Sequence, residues 1–246
     1  MKIHTLVTSL LLGATVALPS FQATAEPVQK EELGELVREY LIENPSIIQE
    51  VMVAYQKQAQ DEGLKLQRMA VKDHKNLIYG QEIDPKTGKG GITIVEFFDY
   101  NCSACKYMFK SLDTLVQDDN VDVNIIFKEF PIFGEESEKL ARLGLALNTL
   151  APETYYAFHK KMMLHGGKLD VATAFDYATE LGISRDDLEK ELAKPKYSEA
   201  LLTMKDLGNK LAVRGTPFLI IGDEPVPHAV EETDLRARVK AAANIK

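Results

Sequence analysis

The two cysteines of this chain, its only ones, lie three positions apart in the segment Cys102-Ser103-Ala104-Cys105. They follow an apolar, strand-like run and open a segment with helical character. A helix N-terminus offers free backbone N–H groups and a partial positive charge, which favour a thiolate at the first cysteine. The second cysteine lies one turn later on the same helical face, where it can attack a mixed disulfide formed by the first. The motif therefore indicates thiol–disulfide exchange, with Cys102 as the nucleophile and Cys105 as the resolving thiol.

Two other roles for the cysteine pair stay open. A structural disulfide is one, although closing so short a loop stabilises a fold by only about 2 kcal/mol in the chain-entropy model. A zinc site is the other, and a closed structural site needs four ligands. The nearest histidines, His159 and His165, lie about fifty residues downstream at a looser spacing than zinc sites use. We expect no metal site and no cofactor.

The N-terminal residues have the pattern of a secretory signal peptide, with Lys2, an apolar run from Leu6 to Leu18, and small residues at Ala23 and Ala25. The apolar run is shorter than the roughly 20 residues needed to span a bilayer. This favours cleavage after Ala25 over retention as a membrane anchor. We expect residues 1–25 to be removed and the protein to reach the periplasm, an oxidising compartment where disulfides form and persist.

The net charge and the length of the chain narrow the classes of protein and partner that fit it. The 246-residue chain has a formal net charge of −8. A nucleic-acid partner would call for a basic face, so we expect none. The length after the signal peptide suffices for one full-sized core with accessory helices, or for one domain plus an arm.

Residues 26–80 are polar and helix-like, and we interpret them as an N-terminal helical arm. Asn44 is a favourable helix cap and Pro45 a favourable first helical residue, which predicts helices over 31–43 and 45–60. The second helix carries an apolar stripe on a polar background, formed by Ile47, Ile48, Val51, Met52, Tyr55 and Ala59. The stripe either packs on the chain's own domain or pairs with copies of itself, so the arm is a candidate oligomerisation segment.

The rest of the chain, residues 81–246, is predicted to form one α/β domain. Residues 80–91 are rich in turn formers and either separate the arm from the domain or form a hairpin turn within it. The elements that follow are a buried strand over 92–100, a helix over 102–116 and an alternating strand over 121–128. Four or five helices follow over about 135–212, and then a strand over 218–221, an edge strand over 225–230 and a helix over 234–244. This order suggests a mixed sheet with helices on its faces.

Two segments together resemble one known family. Residues 97–106 resemble the active-site segment of the DsbA-like branch of the thioredoxin superfamily, and residues 215–218 resemble its second signature, a loop with a cis-proline that faces the dithiol. The helical block of about 135–212 matches the helical domain that those proteins insert into the thioredoxin fold. The resemblance covers about 90–246 and implies a thioredoxin fold with an inserted helical domain, preceded by the arm. Asn101 is a departure, because thioredoxin itself has a tryptophan before the first cysteine.

The resemblance implies roles for three more residues. Glu96, six residues before Cys102, matches the family's buried acid. It would exchange protons with Cys105, with a pKa raised by burial, whereas the alternative is a strand glutamate that faces solvent. Thr216 and Pro217 would shape the substrate site, because a cis-proline there leaves neighbouring backbone groups free to pair with an extended substrate strand.

Residues 40–45, which run into the striped helix, resemble the N-terminal segment of suppressor-of-copper-sensitivity C-type proteins. Some relatives with such an arm are oligomeric through it and behave as disulfide isomerases or reductases. The resemblance implies a periplasmic oxidoreductase that forms or rearranges disulfides, with exported cysteine-containing clients and a membrane partner that resets the dithiol. Oxidase and isomerase directions both stay open. The alternative is an exported copper-binding or chaperone-like protein, since two thiolates suit copper(I).

Overall fold

The computed structural model describes residues 29–244, so the predicted signal peptide and its cleavage site after Ala25 lie outside the described residues. The chain divides into two compact units, the first ending at Gln56 and the second beginning at Lys57. This division falls inside a long helix, whose first part belongs to one unit and whose last part belongs to the other. The extent of the arm, residues 26–80, stays a prediction.

The first unit contains helix α1, Lys30–Glu43, and the first part of helix α2, Ser46–Asp73. The side-chain amide of Asn44 donates a hydrogen bond to the carbonyl oxygen of Tyr40, 2.9 Å away. Asn44 therefore caps the end of α1, whereas the sequence pattern assigned its side chain to the start of the next helix. Helix α2 continues well beyond its predicted end at residue 60, because the residues that follow are mostly good helix formers.

Apolar side chains of the first unit are exposed to solvent. On α2 they include four members of the predicted stripe, Ile48, Val51, Met52 and Tyr55. Helix α1 buries none of its residues. A contiguous apolar patch on a protein surface is typical of an interaction site. Within residues 29–244, no helix is both long enough and apolar enough to cross a membrane.

A five-stranded sheet forms the centre of the second unit. Its strands are Lys86–Gly88 (β1), Ile92–Phe98 (β2), Val123–Glu129 (β3), Phe218–Ile221 (β4) and Glu224–Val226 (β5). Their spatial order is β1-β3-β2-β4-β5. Strands β2 and β3 are parallel, and the other neighbouring pairs are antiparallel. The turn-rich stretch before β2 thus holds a short strand that pairs at the sheet edge.

Helices cover the sheet and fill one long connection. They are Lys75–Tyr79 (α3), Ser103–Val116 (α4), Glu135–Leu150 (α5), Pro152–Leu164 (α6), Val171–Glu180 (α7), Arg185–Leu192 (α8), Lys196–Lys210 (α9) and Glu232–Ala243 (α10). Helix α4 connects β2 to β3, as a parallel pair requires. Helices α5 to α9 connect β3 to β4 and occupy the predicted insertion. They are separated near Pro152 and Gly182, as predicted, with Pro152 as a first helical residue and Gly182 at φ +82°.

Both faces of the sheet are buried, which is why β2 reads as an almost unbroken apolar run. Ile94 and Phe98 point into a core that includes α4 and the insertion helices. Val95 and Phe97 point into a second core, which includes the end of α2. Side chains alternate along a strand, so Glu96 lies on the same face as Ile94 and Phe98, toward α4. The mixed α/β sheet with a helical insertion is the predicted fold class.

Candidate active site

The turn between β2 and α4 places Cys102 at the start of the helix. Cys102 is the N-cap residue and has extended backbone angles, φ −80° and ψ 116°. Its sulfur accepts a hydrogen bond from the backbone N–H of Cys105, with the nitrogen 3.4 Å away. The sulfur thus takes the position of an ordinary capping oxygen. There it faces the free N–H groups and the positive end of the helix dipole, which favour a thiolate.

The two thiols are both reduced, but their environments differ. Cys102 is 4% exposed, whereas Cys105 is fully buried. The pKa of Cys102 is lowered to about 6, chiefly by a hydrogen bond from the Cys105 thiol, which outweighs the opposing effect of burial. Burial raises the pKa of Cys105 far above its usual value, and Cys102 and Glu96 raise it further. At neutral pH the pair is therefore one thiolate, at Cys102, and one thiol, at Cys105.

Glu96 lies in the middle of β2 and is fully buried, so it is not a solvent-facing strand residue. Neither oxygen of its carboxyl group has a hydrogen-bond partner among the described residues. Its pKa is raised to about 8, first by burial and then by the negative charge of Cys102. A carboxyl group with this pKa can both take up and release a proton near neutral pH.

The loop before β4 completes the site, although it lies far from the two cysteines in the sequence. The peptide bond between Thr216 and Pro217 is cis. The Cys102 sulfur lies 3.2 Å from the carbonyl oxygen of Thr216, to which the thiol donates a hydrogen bond when it is protonated. The Thr216 hydroxyl oxygen is buried and has no partner within the part of the chain that the structure describes. All five residues singled out in the sequence therefore meet in one place, around the Cys102 sulfur and the buried face beneath it.

Asp99 organises the turn beside the dithiol, and the sequence reasoning missed it. Its carboxylate is 1% exposed and accepts hydrogen bonds from the backbone N–H groups of Asn101, Ile132 and Phe133, at 2.7, 2.8 and 3.1 Å. It also accepts one from the Ser137 hydroxyl at 2.8 Å. Asp99 thus ties the active-site turn to the segment that leads into α5. An aspartate just after a strand is a turn former, and this was the available signal.

Asn101 and Lys106 hold a second segment of the insertion against the site. The Asn101 side chain donates to the Leu169 carbonyl oxygen at 3.2 Å and accepts from the Leu169 N–H at 2.7 Å. The Lys106 ammonium donates to the carbonyl oxygens of His165 and Gly167, at 2.9 and 2.6 Å. Asn101 stands where thioredoxin has a tryptophan, and here it makes a docking contact for the inserted helices.

The two histidines considered as metal ligands make other contacts. His159 is fully buried, and burial lowers its pKa to about 3. Its Nδ1 atom lies 3.2 Å from the Tyr155 hydroxyl. The Nδ1 atom of His165 lies 2.9 Å from the Tyr177 hydroxyl. In the stretch from residue 29 to residue 244, no group of three or more histidine, cysteine, aspartate or glutamate side chains is arranged to hold a metal ion.

Comparison with known proteins identifies both parts of the chain. Residues 93–240 match the DSBA-like thioredoxin domain, and residues 29–62 match the N-terminal domain of the copper resistance protein ScsC. Disulfide bond formation protein D of Bacillus subtilis is 22% identical over 162 residues, which cover 61% of this chain and 71% of that protein. Thiol:disulfide interchange protein DsbA of Pseudomonas syringae is 26% identical over 141 residues, which cover 56% of this chain and 65% of that protein.

Solved structures agree with these matches. The catalytic domain of Proteus mirabilis ScsC is 27% identical with a TM-score of 0.66, and the alignment covers 72% of this chain and 98% of that domain. Proteus mirabilis ScsC in a transitional conformation is 28% identical with a TM-score of 0.67, covering 91% and 99%. The thiol-disulfide exchange protein alpha-DsbA2 of Wolbachia pipientis is 29% identical with a TM-score of 0.67, covering 72% and 96%. The chain therefore belongs to the DsbA-like thioredoxin family and is a thiol–disulfide oxidoreductase.

Proposed function

We propose that the protein works in the periplasm, where it forms or rearranges disulfides in exported proteins through a mixed disulfide at Cys102. The observation that carries this proposal is the contrast between the two thiols. Cys102 lies at the helix start with a pKa near 6, and Cys105 lies beneath it as a buried, protonated thiol. An exchanging dithiol needs this division between a reactive thiolate and a protected partner.

The forward step starts from the Cys102–Cys105 disulfide. A client thiolate attacks the Cys102 sulfur, the bond between the two cysteines breaks, and Cys105 leaves as a thiolate that takes a proton from Glu96. A second client thiolate then attacks the client sulfur of the mixed disulfide. Cys102 leaves as a thiolate, which the helix N-terminus stabilises, and the client holds a new disulfide.

The reverse direction uses the same groups. The Cys102 thiolate attacks a client disulfide and forms the mixed disulfide. Cys105 then gives its proton to the Glu96 carboxylate and attacks Cys102, which releases the client thiolate. Thr216 and Pro217 form the client-binding edge, because their loop lies directly beside the Cys102 sulfur, where an extended client strand could pair with its backbone.

The proposal also includes where the protein works and which proteins it meets there. Residues 1–25 direct export, and the clients are exported proteins with cysteines. A membrane redox partner resets the dithiol after each turnover, because the exchange itself only moves electrons between the protein and its clients. A periplasmic thioredoxin-like protein from Salmonella enterica, 30% identical with a TM-score of 0.63, supports the periplasmic assignment.

The arm supports assembly of several copies. Its exposed stripe and its match to the ScsC N-terminal domain favour a homo-oligomer that holds several dithiols together, an arrangement that suits isomerase work. Light scattering on the full chain tests this assembly, comparing the natural protein with Met52→Lys and Tyr55→Lys. A matched control is Gln56→Lys on the same exposed helix. If the mass of the natural protein is a multiple of the chain mass, and only the stripe variants reduce it, the result supports oligomerisation through the arm. A monomeric natural protein contradicts it.

Trapping tests the reaction itself. Cys105→Ser removes the resolving thiol, so client proteins in a periplasmic extract should stay bound to Cys102 through disulfides that reductant releases. Cys102→Ser should trap none. Absence of trapped clients, together with disulfide exchange that survives Cys102→Ser, would overturn the proposal. Stoichiometric copper(I) binding without exchange would instead favour the copper-binding alternative.

A further inference from the structure

The side chain of Gln67 donates a hydrogen bond to the carbonyl oxygen of Ala212, and the two atoms are 3.1 Å apart. Gln67 lies on α2, whereas Ala212 lies at the start of the loop that leads into β4. None of the reaction steps above uses this contact. It joins α2 to the loop that carries Thr216 and Pro217.

Residues 212–217, which we call the cis-proline loop, connect the end of α9 to β4. Within the part of the chain that the structure describes, residues 214–216 make no hydrogen bond between backbone groups. The Thr216 carbonyl oxygen nevertheless has a defined place, 3.2 Å from the Cys102 sulfur. The shape of the loop therefore depends on how its two ends are held.

Strand β4 holds the second end of the cis-proline loop. Phe218 directly follows Pro217 and pairs with Phe97 in the antiparallel register of β2 and β4. The rings of Phe97 and Phe218 also pack edge to face, with their centroids 5.7 Å apart. Phe218 is 1% exposed, so this end is fixed by both the sheet and the core.

The first end of the loop begins in an unfavourable backbone conformation. Ala212 has φ +52°, in the left-handed region where a residue with a Cβ atom is disfavoured. Its N–H donates to the carbonyl oxygen of Asn209 at 3.1 Å. The N–H of Val213 donates to the carbonyl oxygen of Gly208 at 2.8 Å. Such a conformation persists only where surrounding groups hold it, and the amide of Gln67 holds the Ala212 carbonyl oxygen.

The last turns of α2 are themselves held firmly against the domain. Val71 is fully buried in the second core, which also contains Val213 and Phe218 from the two ends of the loop. Gln67 precedes Val71 by one helical turn, so it lies on the same face of α2. All of these residues belong to the second unit. The helix is thus fixed by apolar packing, and Gln67 is the polar group that it directs to the loop.

We propose that Gln67 is a positioning residue for client binding, because its amide holds the start of the cis-proline loop in the shape that pairs with a client strand beside Cys102. This inference rests on the proposed function, in which Thr216 and Pro217 form the client-binding edge. Gln67 acts through the loop and takes no part in the transfer of protons or electrons.

The consequence falls on extended clients and not on the thiol chemistry. Without the Gln67 amide the loop samples more conformations, so a client strand has to order it on binding. Loss of one such hydrogen bond should weaken the response to an extended client by about threefold to tenfold. The pKa of Cys102 is lowered chiefly by Cys105, so the reaction with a small disulfide should keep its rate.

Two coloured probes with the same reacting disulfide separate these effects on the full reduced chain. One is an unstructured peptide whose single cysteine forms a mixed disulfide with nitrothiobenzoate, and the other is the same disulfide of N-acetylcysteine amide. Cys102 attacks the probe, and Cys105 then closes the Cys102–Cys105 disulfide. The protein is oxidised, and the probe is reduced to two thiols. The ratio of the two second-order rate constants measures the preference for the peptide.

The natural protein should prefer the peptide probe, and Gln67→Met should lower this preference by about threefold to tenfold. Gln67→Glu replaces the donor by an acceptor and should lower it at least as much. Gln58→Met is the matched control, since the Gln58 amide bonds only to the exposed Glu62 side chain on the same helix. Arg68→Met breaks the exposed ion pair between the next residue of α2 and Glu224. Both controls should keep the full preference.

The outcomes distinguish this inference from the proposed function. If the natural protein reacts equally fast with both probes, the proposed client-binding edge fails. If it prefers the peptide and both Gln67 variants keep that preference, only the role of Gln67 is overturned, even where urea unfolding shows a loss of stability. Equal losses of rate with the two probes also overturn it, because Gln67 would then act on the dithiol instead of on the client.

Discussion

The sulfur of Cys102 lies 3.2 Å from the carbonyl oxygen of Thr216, although the two residues are 114 positions apart in the chain. Cys102 is the N-cap of α4 and Thr216 precedes β4, so the contact joins the helix that activates the thiol to the loop with the cis-proline. A client strand that pairs with this loop brings its own sulfur to Cys102. Under the proposed function, the thiol would therefore be activated and the client bound at the same place in the fold.

The first prediction concerns the thiol of Cys102. Its ionisation should have a midpoint near pH 6, and Cys105 should stay protonated through neutral pH. The hydrogen bond from the Cys105 thiol is the largest cause of the lowered pKa of Cys102. Cys105→Ala should therefore raise the midpoint by about one unit, whereas Cys105→Ser keeps a hydroxyl donor and should raise it less. Thiolate absorbance in the far ultraviolet, followed against pH, measures the midpoint. Equal midpoints in the two variants would contradict this role for the Cys105 thiol.

The second prediction concerns Glu96 and stability. Burial raises the folded-state pKa of Glu96 to about 8, above its ordinary value of 4.5. The stability associated with neutral Glu96 is therefore complete below about pH 4.5 and is lost as pH rises through about 8. Glu96→Gln should unfold with nearly the natural free energy at about pH 5 and be more stable by about 2–4 kcal/mol at about pH 8.

Urea unfolding at both pH values checks this prediction. Both proteins should carry Cys102→Ser, because the lowered pKa of Cys102 makes an opposite contribution, which is lost as pH falls through about 6. A free-energy difference between the two proteins that does not grow with pH would show that Glu96 ionises as it does in an exposed strand.

The parts of the site that can be predicted from the sequence are those whose signals lie in neighbouring residues. The cysteine pair after a β-branched run identifies a strand and a helix start, and prolines and glycines mark the breaks in the insertion. The roles of Asp99, Asn101 and Lys106 are not local, since most of their partners lie between 33 and 68 residues away in the chain. A charged residue in a sequence does not reveal which distant segment will bury it.

Strand β3 shows the same limit. Alternation predicts that Lys128 and Glu129 point to opposite faces, and the structure agrees. It does not predict that both are buried, because that depends on what covers each face. Asp84 reaches Lys128 from the segment before β1, and Gly144 makes room for Glu129 beneath α5. The short strand β1 was missed because it has only three residues, lies within a turn-rich stretch and pairs only at a sheet edge.

The third prediction concerns Asp99. Its carboxylate accepts four hydrogen bonds in a buried position, so Asp99→Ala should lower the free energy of unfolding by about 3–5 kcal/mol. Ser137→Ala removes only one of these bonds and should cost about 1 kcal/mol. Urea unfolding measures both, and hydrogen exchange of the Ile132 and Phe133 amides should accelerate only in Asp99→Ala. Similar losses in the two variants would mean that Asp99 does not organise this turn.

The fourth prediction concerns the buried ion pair of Lys128 and Asp84, which lies on the face of the sheet opposite Glu96. Lys128 is fully buried, and its ammonium bonds to Asp84 and to the Leu77 carbonyl oxygen. Removing one partner leaves an uncompensated buried charge, so Lys128→Met or Asp84→Leu alone should lower the free energy of unfolding by about 3–5 kcal/mol.

Replacing both partners removes the buried charge altogether. The double variant should therefore recover most of the loss and lie within about 1–2 kcal/mol of the natural protein. A double-mutant cycle by urea unfolding measures the coupling between the two positions. Glu135→Gln, which breaks the exposed ion pair with Lys139, is the control and should leave stability nearly unchanged. Additive losses in the cycle would show that the two side chains are not energetically paired. Because Lys128 faces away from Glu96, the double variant should also leave disulfide exchange by Cys102 and Cys105 unchanged.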